Sequence, residues 1–325
     1  MSPFQRAVIL TGPTACGKSA LALDLADRIG AEIVALDSMT VYRGMDIGTA
    51  KPTLGERSRI PHHLIDVLDP WESLTVAWWL EQAKRVCQEI TARGKRPLFV
   101  GGTPFYLKAL LSGLFDGPPA NEQLRRELES QAARDGKASL HTRLAVIDPL
   151  SAARLHPNDL RRVVRALEVF ILTGKPLSFW QQTWDTPSFS TRIRGVPQPL
   201  NIPTVRLELP RDVLHERINR RVLAMIEAGW LDEVRRLAEL PKPLSREARQ
   251  ALGYRELLAY LEGHGSAWKQ TIELIQTHTR QFAKRQLTWF RHFPQFHVVP
   301  ALTAETHRLA IAAWNSSGAV IDTEH

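Results

Sequence analysis

Short apolar runs alternate along this chain with segments that repeat their apolar residues at helical spacing. Ala7-Val8-Ile9-Leu10 is such a run, and a glycine-containing turn separates it from Ala20-Leu21-Ala22-Leu23-Asp24-Leu25-Ala26, which reads as a helix. Glu32 to Leu36 reads as a second buried strand, ending at Asp37-Ser38. Arg96 to Val100 reads as another, ending at Gly101-Gly102-Thr103 and followed by a helix from Phe105 to Leu111. Ile202 to Leu209 and Phe296 to Val299 are later strands, and Arg217, Arg220 and Arg221 open a helix after the first of these. Strands alternating with helices predict an α/β fold with a doubly wound parallel sheet. Ligands in such sheets bind beyond the carboxyl ends of the strands, so the first turn, Asp37 and Thr103 are expected to face one cleft.

The middle of the chain breaks this alternation. From 118 to 184 the patterning is helical with no convincing strand. The stretch 185–203 carries Pro187, Pro197, Pro199 and Pro203 with Ser188 and Ser190, and reads as a linker. The predicted organisation is an α/β core over 1–118 and 195–325, including C-terminal helices, with a helical insertion domain at 119–194.

Composition narrows the class. The 325 residues are 44% apolar and 23% charged, ordinary for a globular protein able to bury a full core. No apolar run reaches membrane-spanning length and the N-terminus runs straight into a strand, so a cytoplasmic enzyme with no membrane partner is expected. Cys16 and Cys87 are too few for a disulfide framework or a four-ligand zinc site. Lys and Arg number 42 against 34 Asp and Glu, a net charge of +8. That excess suits a polyanionic partner larger than one nucleotide, or a basic surface that only aids solubility.

The turn after the first strand carries the chemistry. Gly12-Pro13-Thr14-Ala15-Cys16-Gly17-Lys18-Ser19 matches G-x-x-x-x-G-K-[ST] between a strand and a helix, the context of a P-loop. Backbone N–H groups in such a loop approach an anion closely, and the helix that follows adds its positive end. Lys18 brings a point charge to the outer phosphate oxygens, and Ser19 offers a hydroxyl to Mg2+. The expected fold is therefore P-loop NTPase-like. Motor-type NTPases place an acid after a strand of four apolar residues, but here Pro97 to Val100 ends in Gly101-Gly102-Thr103. The acid is Asp37, on the strand after the loop helix, which suits a carboxylate orienting a hydroxyl in a small-molecule kinase, a helix N-cap, or a Mg2+ ligand.

Basic and aromatic residues cluster further on. The stretch 278–293 holds Arg280, Lys284, Arg285 and Arg291 with Phe282, Trp289, Phe290 and Phe293 and no acid. These could contact RNA, although most aromatics belong to cores. His62 and His63 lack partners at metal-ligand spacing and read as packing or hydrogen-bonding residues near the cleft entrance. Charge and aromatics alone would also fit a non-catalytic RNA-binding protein, which leaves Lys18, Ser19 and Asp37 without a role.

A resemblance discriminates among these readings. The segment 37–52, Asp37-Ser38-Met39-Thr40 through Gly48-Thr49-Ala50-Lys51-Pro52, resembles the signature of bacterial tRNA dimethylallyltransferases, also called tRNA isopentenyltransferases. Further matches follow in order: Pro61-His62-His63-Leu64-Ile65-Asp66, Val100 to Thr103, Arg165 to Val169, Leu252 to Glu256, and Thr279 to Phe290. The similarity spans Gly12 to about Phe293. Cys16 stands where the family usually has Ser, and Thr40 where Gln is common.

That resemblance implies transfer of a dimethylallyl group from dimethylallyl diphosphate to the exocyclic N6 amine of the adenosine 3′-adjacent to the anticodon, in tRNAs reading codons that begin with U. Diphosphate leaves, and Mg2+ is the implied cofactor. Gly12 through Ser19 would hold the diphosphate, Arg220 is read as a clamp on it, and Asp37 would be the base. Thr103 would hydrogen-bond near the amine, unless it only caps the helix near Phe105. The adenine must be flipped into the site. By resemblance the tRNA contacts are Asp37, Ser38, Met39, Thr40, Thr103 and Arg125, then Arg161, Arg162, Val163, Val164 and Arg165, and finally Gln250, Ala251, Leu252, Gly253, Tyr254 and Arg255. A monomer acting on the anticodon stem-loop is expected.

Overall fold

The computed structural model describes residues 3–114, 117–185, 200–264, 267–293 and 295–321. The proline-containing linker read at 185–203, and the expected domain boundary at 195, fall largely or wholly outside the described residues. By internal contacts the chain forms two compact units, Met1–Leu111 with Asn201–His325, and Ser112–Leu200.

The first unit holds all the described strands: β1 (Val8–Thr11), β2 (Ala31–Ala35), β3 (His62–His63), β4 (Arg96–Gly101), β5 (Thr204–Glu208) and β6 (His297–Pro300). They form one six-stranded parallel sheet in the order β3-β2-β4-β1-β5-β6. Every residue of β1 and β2 is buried, which is why these strands read as near-continuous apolar runs, broken in β2 only by the buried Glu32, rather than as an alternation. The parallel sheet expected from the strand–helix alternation is present. The two-residue β3 was not foreseen, because two residues offer no period to read.

Helices α1 (Lys18–Arg28), α2 (Leu54–Arg59), α3 (Val76–Ala92) and α4 (Pro104–Ser112) connect the first strands. The second unit contains α5 (Glu122–Asp135), α6 (Lys137–Ile147), α7 (Pro149–Arg154), α8 (Leu160–Thr173) and α9 (Leu177–Asp185). The chain then adds α10 (Arg211–Glu227), α11 (Trp230–Ala238), α12 (Arg246–Arg249), α13 (Tyr254–Leu261), α14 (Trp268–Phe290) and α15 (Thr306–Ser316). Arg217, Arg220 and Arg221 therefore lie inside α10, which starts at Arg211, and do not open it as expected. Pro210 sits at its N-cap, and a strand-end proline gives a start signal that the downstream arginines do not.

Caps explain where several helices begin. Thr53 and Glu56 form a reciprocal capping box on α2, Asn121 caps α5 through Leu124 N, and Asp159 caps α8 through Arg162 N. Leu128, Leu140, Leu144, Val163 and Leu167 build the core of the helical unit.

Gly101 closes β4 where the end of β2 crosses it. A Cβ placed there would sit 2.0 Å from the Leu36 carbonyl oxygen. Gly101→Ala is accordingly expected to cost ~1–3 kcal/mol of stability, read from the denaturant midpoint. An unchanged midpoint would mean that the two strand ends can separate freely.

Candidate active site

Strands β2, β4 and β1 are neighbours in the sheet, and their carboxyl ends lead to Asp37, to Gly101-Gly102-Thr103 and to the Gly12–Ser19 loop. Residues from all three segments line one cavity of about 1190 Å³ within the first unit. The expectation that these strand ends share a cleft is met.

The loop is anchored from several sides. Gly17, in the left-handed region at φ 95°, is the N-cap of α1. Thr14, Ala15, Gly17, Lys18 and Ser19 face the cavity, while Gly12, Pro13 and Cys16 are buried behind them. Lys18 Nζ donates to the Gly12 carbonyl at 2.9 Å and the Pro13 carbonyl at 2.7 Å, and lies 3.8 Å from Cys16 Sγ. Burial lowers the Lys18 pKa below its ordinary value; Cys16 and Asp37 oppose that shift and Arg221 adds to it. Ser19 is exposed to the cavity, and its hydroxyl makes no hydrogen bond among the described residues.

Asp37 follows β2 closely, and its Oδ1 accepts hydrogen bonds from Met39 N at 2.8 Å and Thr40 N at 3.3 Å. This Asx-type turn fixes the carboxylate and leaves Oδ2 without a donor among the described residues. Thr103 lines the cavity just before α4, which begins with Pro104. Its carbonyl accepts the Tyr106 and Leu107 N–H groups, and its hydroxyl makes no hydrogen bond among the described residues. Ser38, Met39 and Thr40 also line the cavity, and the buried Thr40 Oγ1 has no hydrogen-bond partner among the described residues.

Arg220 lines the cavity and is exposed; Arg217 and Arg221 line it too, and the loop contacts that follow come from these two neighbours on α10. Arg217 Nε donates to the Ala15 carbonyl at 2.8 Å. Burial lowers the Arg221 pKa, opposed by the negative charge of Asp37 and by Cys16. Sequence reading passed over Arg217 and Arg221, whose i, i+4 spacing on one helix face was a usable signal. It also passed over Gln286 of α14. Buried Gln286 accepts from Thr14 N at 2.9 Å and donates to the Gly102 carbonyl at 2.6 Å, joining the loop to the end of β4.

Gln250, Ala251, Leu252, Tyr254 and Arg255 line the cavity, and Gly253 is covered by the Trp230 indole. Tyr254 is 1% exposed and its hydroxyl is bonded internally, so Gln250 and Arg255 are the exposed side chains of this stretch. Glu256 accepts from both Arg255 and His278 Nδ1. His62 Nδ1–H donates to the Ile60 carbonyl and His63 Nε2–H to Glu32, so both histidines are used in hydrogen bonds. Among the described residues no group of three or more His, Cys, Asp or Glu side chains could hold a metal ion.

In the helical unit, two expected RNA contacts need correction. Val163 and Val164 are 0% and 2% exposed and pack in the core, because α8 turns them inward while Arg161 and Arg162 remain on its exposed face. Arg125 and Arg165 meet the fully buried Glu168: Arg125 Nε and Nη2 donate at 2.9 and 3.1 Å, and Arg165 Nη1 at 2.6 Å. Arg165 also donates to the Pro118 carbonyl. Burial raises the Glu168 pKa, but the hydrogen bonds from Arg125, Arg165 and Asn121 N outweigh it and hold the carboxyl below its ordinary 4.5. A folded-state pKa below the unfolded one gives stability that is present above the ordinary carboxylate range and lost as pH falls through the folded value. Acidification from about pH 7 to about pH 3 should therefore lower the thermal midpoint of the wild type more than that of Glu168→Gln. Parallel curves would show that the pair contributes no acid sensitivity.

Comparison with known proteins resolves what this cavity belongs to. A family model described as IPP transferase matches residues 40–293, and one described as isopentenyl transferase matches residues 5–61. The chain belongs to the IPP transferase family. A tRNA dimethylallyltransferase of Geobacter metallireducens is 50% identical over 286 residues, covering 88% of this chain and 89% of its own. One from Shouchella clausii is 47% identical, covering 88% of each chain. Among solved structures, the tRNA isopentenylpyrophosphate transferase of Bacillus halodurans is 37% identical with a TM-score of 0.68, covering 96% of this chain and 98% of its own. A eukaryotic dimethylallyltransferase acting on tRNA is 29% identical with a TM-score of 0.77, covering 98% of this chain and 82% of its own. The resemblance read from the ordered motifs is borne out.

Proposed function

We propose that this protein transfers a dimethylallyl group from dimethylallyl diphosphate to N6 of the adenosine 3′-adjacent to the anticodon, in tRNAs reading U-initial codons, and releases diphosphate. The observation that carries this reading is the single cavity shared by a P-loop-like phosphate loop, a held carboxylate at Asp37 and the exposed side chains of Gln250 and Arg255. We read the core as P-loop NTPase-like, with the loop turned from nucleotide to prenyl diphosphate.

The chemistry follows from these groups. An exocyclic adenine amine is a weak nucleophile because its lone pair is delocalised into the ring. Asp37 Oδ2 accepts its proton as the bond to the prenyl carbon forms. Negative charge builds on the departing bridging oxygen, and the loop N–H groups, Lys18, Arg217 and Arg221 stabilise it, with Arg220 at the exposed rim. Thr103 Oγ1, free of other partners among the described residues, orients the amine. The adenine reaches Asp37 by leaving its stack, with basic and aromatic contacts offsetting the unstacking.

The donor set also fits Mg2+. Ser19 Oγ is a hard ligand exposed to the cavity, and this ion commonly takes its remaining ligands from substrate phosphates and water. Bound there, Mg2+ supplies charge neutralisation for the leaving diphosphate.

Incubating the protein with RNA and labelled dimethylallyl diphosphate tests the donor assignment. Label is expected on RNA, with ATP acting at best as a competitor. ATP turnover dependent on a small-molecule acceptor, with no label on RNA, would replace this reading with a kinase.

A further inference from the structure

One helix outside every motif joins two walls of the cavity. The first turn of α11 carries Trp230 and Glu233, at i, i+3 on the same face, and both are buried, at 1% and 2% exposure. The Trp230 indole lies against Gly48 and Gly253. A Cβ at Gly48 would come within 2.1 Å of the indole nitrogen, and one at Gly253 within 2.0 Å of the ring. Trp230 also meets the Tyr254 ring edge-on, with centroids 5.6 Å apart and planes at 75°.

Glu233 supplies the polar half of this joint. Its Oε2 accepts Asp46 N at 2.9 Å and Ile47 N at 2.7 Å, and its Oε1 accepts Gly48 N at 3.4 Å and the Tyr254 hydroxyl at 2.6 Å. Successive backbone N–H groups form a concavity that suits an anion, and here an internal carboxylate fills it. The segments joined are 46–48 and 253–254. The first leads into Thr49, Ala50 and Lys51 on the cavity wall, and the second into Arg255. The phosphate loop is anchored separately, by Gln286 and Arg217.

We propose that Glu233 is a positioning residue for the RNA acceptor: it holds the 46–51 and 254–255 walls in register with each other, and the diphosphate site does not depend on it. This rests on the transferase reading given above. Among the described residues the carboxylate is the one side chain that accepts hydrogen bonds from both segments, so losing it removes the polar tie between them and leaves only the Trp230 packing. A glutamine there keeps the volume but turns N–H groups toward the backbone donors that now reach an oxygen.

The test compares wild type and Glu233→Gln for binding of an anticodon stem-loop RNA and, separately, of inorganic diphosphate with Mg2+. RNA affinity is expected to fall about tenfold to a hundredfold, with diphosphate affinity within about twofold of wild type. RNA affinity unchanged, or both affinities reduced alike, would overturn the proposal. If Glu233→Gln does not fold, Tyr254→Phe in the same assays decides by the same criterion, since it removes one bond to Glu233 and keeps the ring against Trp230. Failure of the wild type to bind the stem-loop would instead count against the transferase reading, so the two failures are distinguishable.

Discussion

Replacing Asp37 by alanine slows single-turnover transfer by ~10²–10⁴ and leaves tRNA affinity within a few-fold. The magnitude is that of a positioned general base, and the geometry separates its two oxygens. Oδ1 is engaged by Met39 N and Thr40 N and shapes the turn; Asp37 lines the cavity, and its Oδ2 has no donor among the described residues. Asp37→Asn separates these functions, because an amide oxygen can still accept the two N–H groups while the side chain can no longer take a proton. Transfer by Asp37→Asn should therefore fall about as far as by the alanine variant. A rate within about threefold of wild type for either variant would remove Asp37 from the role of base.

Lys18→Ala is expected to lower diphosphate affinity or the single-turnover rate by ~10²–10³, without changing RNA binding measured in the absence of donor. Lys18 lies in a cavity wall that holds Arg217, Arg220 and Arg221 with Asp37 among them. Its ammonium is held by the carbonyls of Gly12 and Pro13, and burial already weakens its hold on its proton. On the proposed reading, a bound diphosphate would supply the negative charge this cluster lacks. Arginine should not restore activity, because a planar fork cannot reproduce a compact charge held between two loop carbonyls. Ser19→Ala should impair the same donor side by a smaller factor. Equal loss of donor-free RNA affinity would mean the loop is not a dedicated diphosphate site.

Much of this site is local chemistry and was legible before any coordinates. The buried strands β1, β2 and β4 are apolar runs, their ends carry loop, acid and hydroxyl, and parallel topology brings such ends together. What sequence missed depends on distant partners. Gln286 lies in the 279–290 match but acts through Thr14 and Gly102, far along the chain, and nothing in that stretch names those partners. Glu233 looks like one more acid in the first turn of an amphipathic helix until the N–H groups of 46–48 are seen to point at it. Arg125 and Arg165 read by resemblance as RNA contacts, and their shared partner, the buried Glu168, lies 43 and 3 residues away and does not read as such. Val163 and Val164 show the cost of carrying over a stretch instead of a face: the helical period alone turns them inward.

The central claim is the identity of the transferred group and of the atom that receives it. Unmodified tRNA reading a U-initial codon, incubated with the protein, Mg2+ and dimethylallyl diphosphate and then digested to nucleosides, tests both at once by mass spectrometry. The account predicts one adenosine carrying a five-carbon prenyl group on N6, mapping to the position immediately 3′ of the anticodon, and absent when donor is omitted. Prenyl on another base or atom, a phosphorylated product, or unchanged nucleosides with folded protein would contradict it.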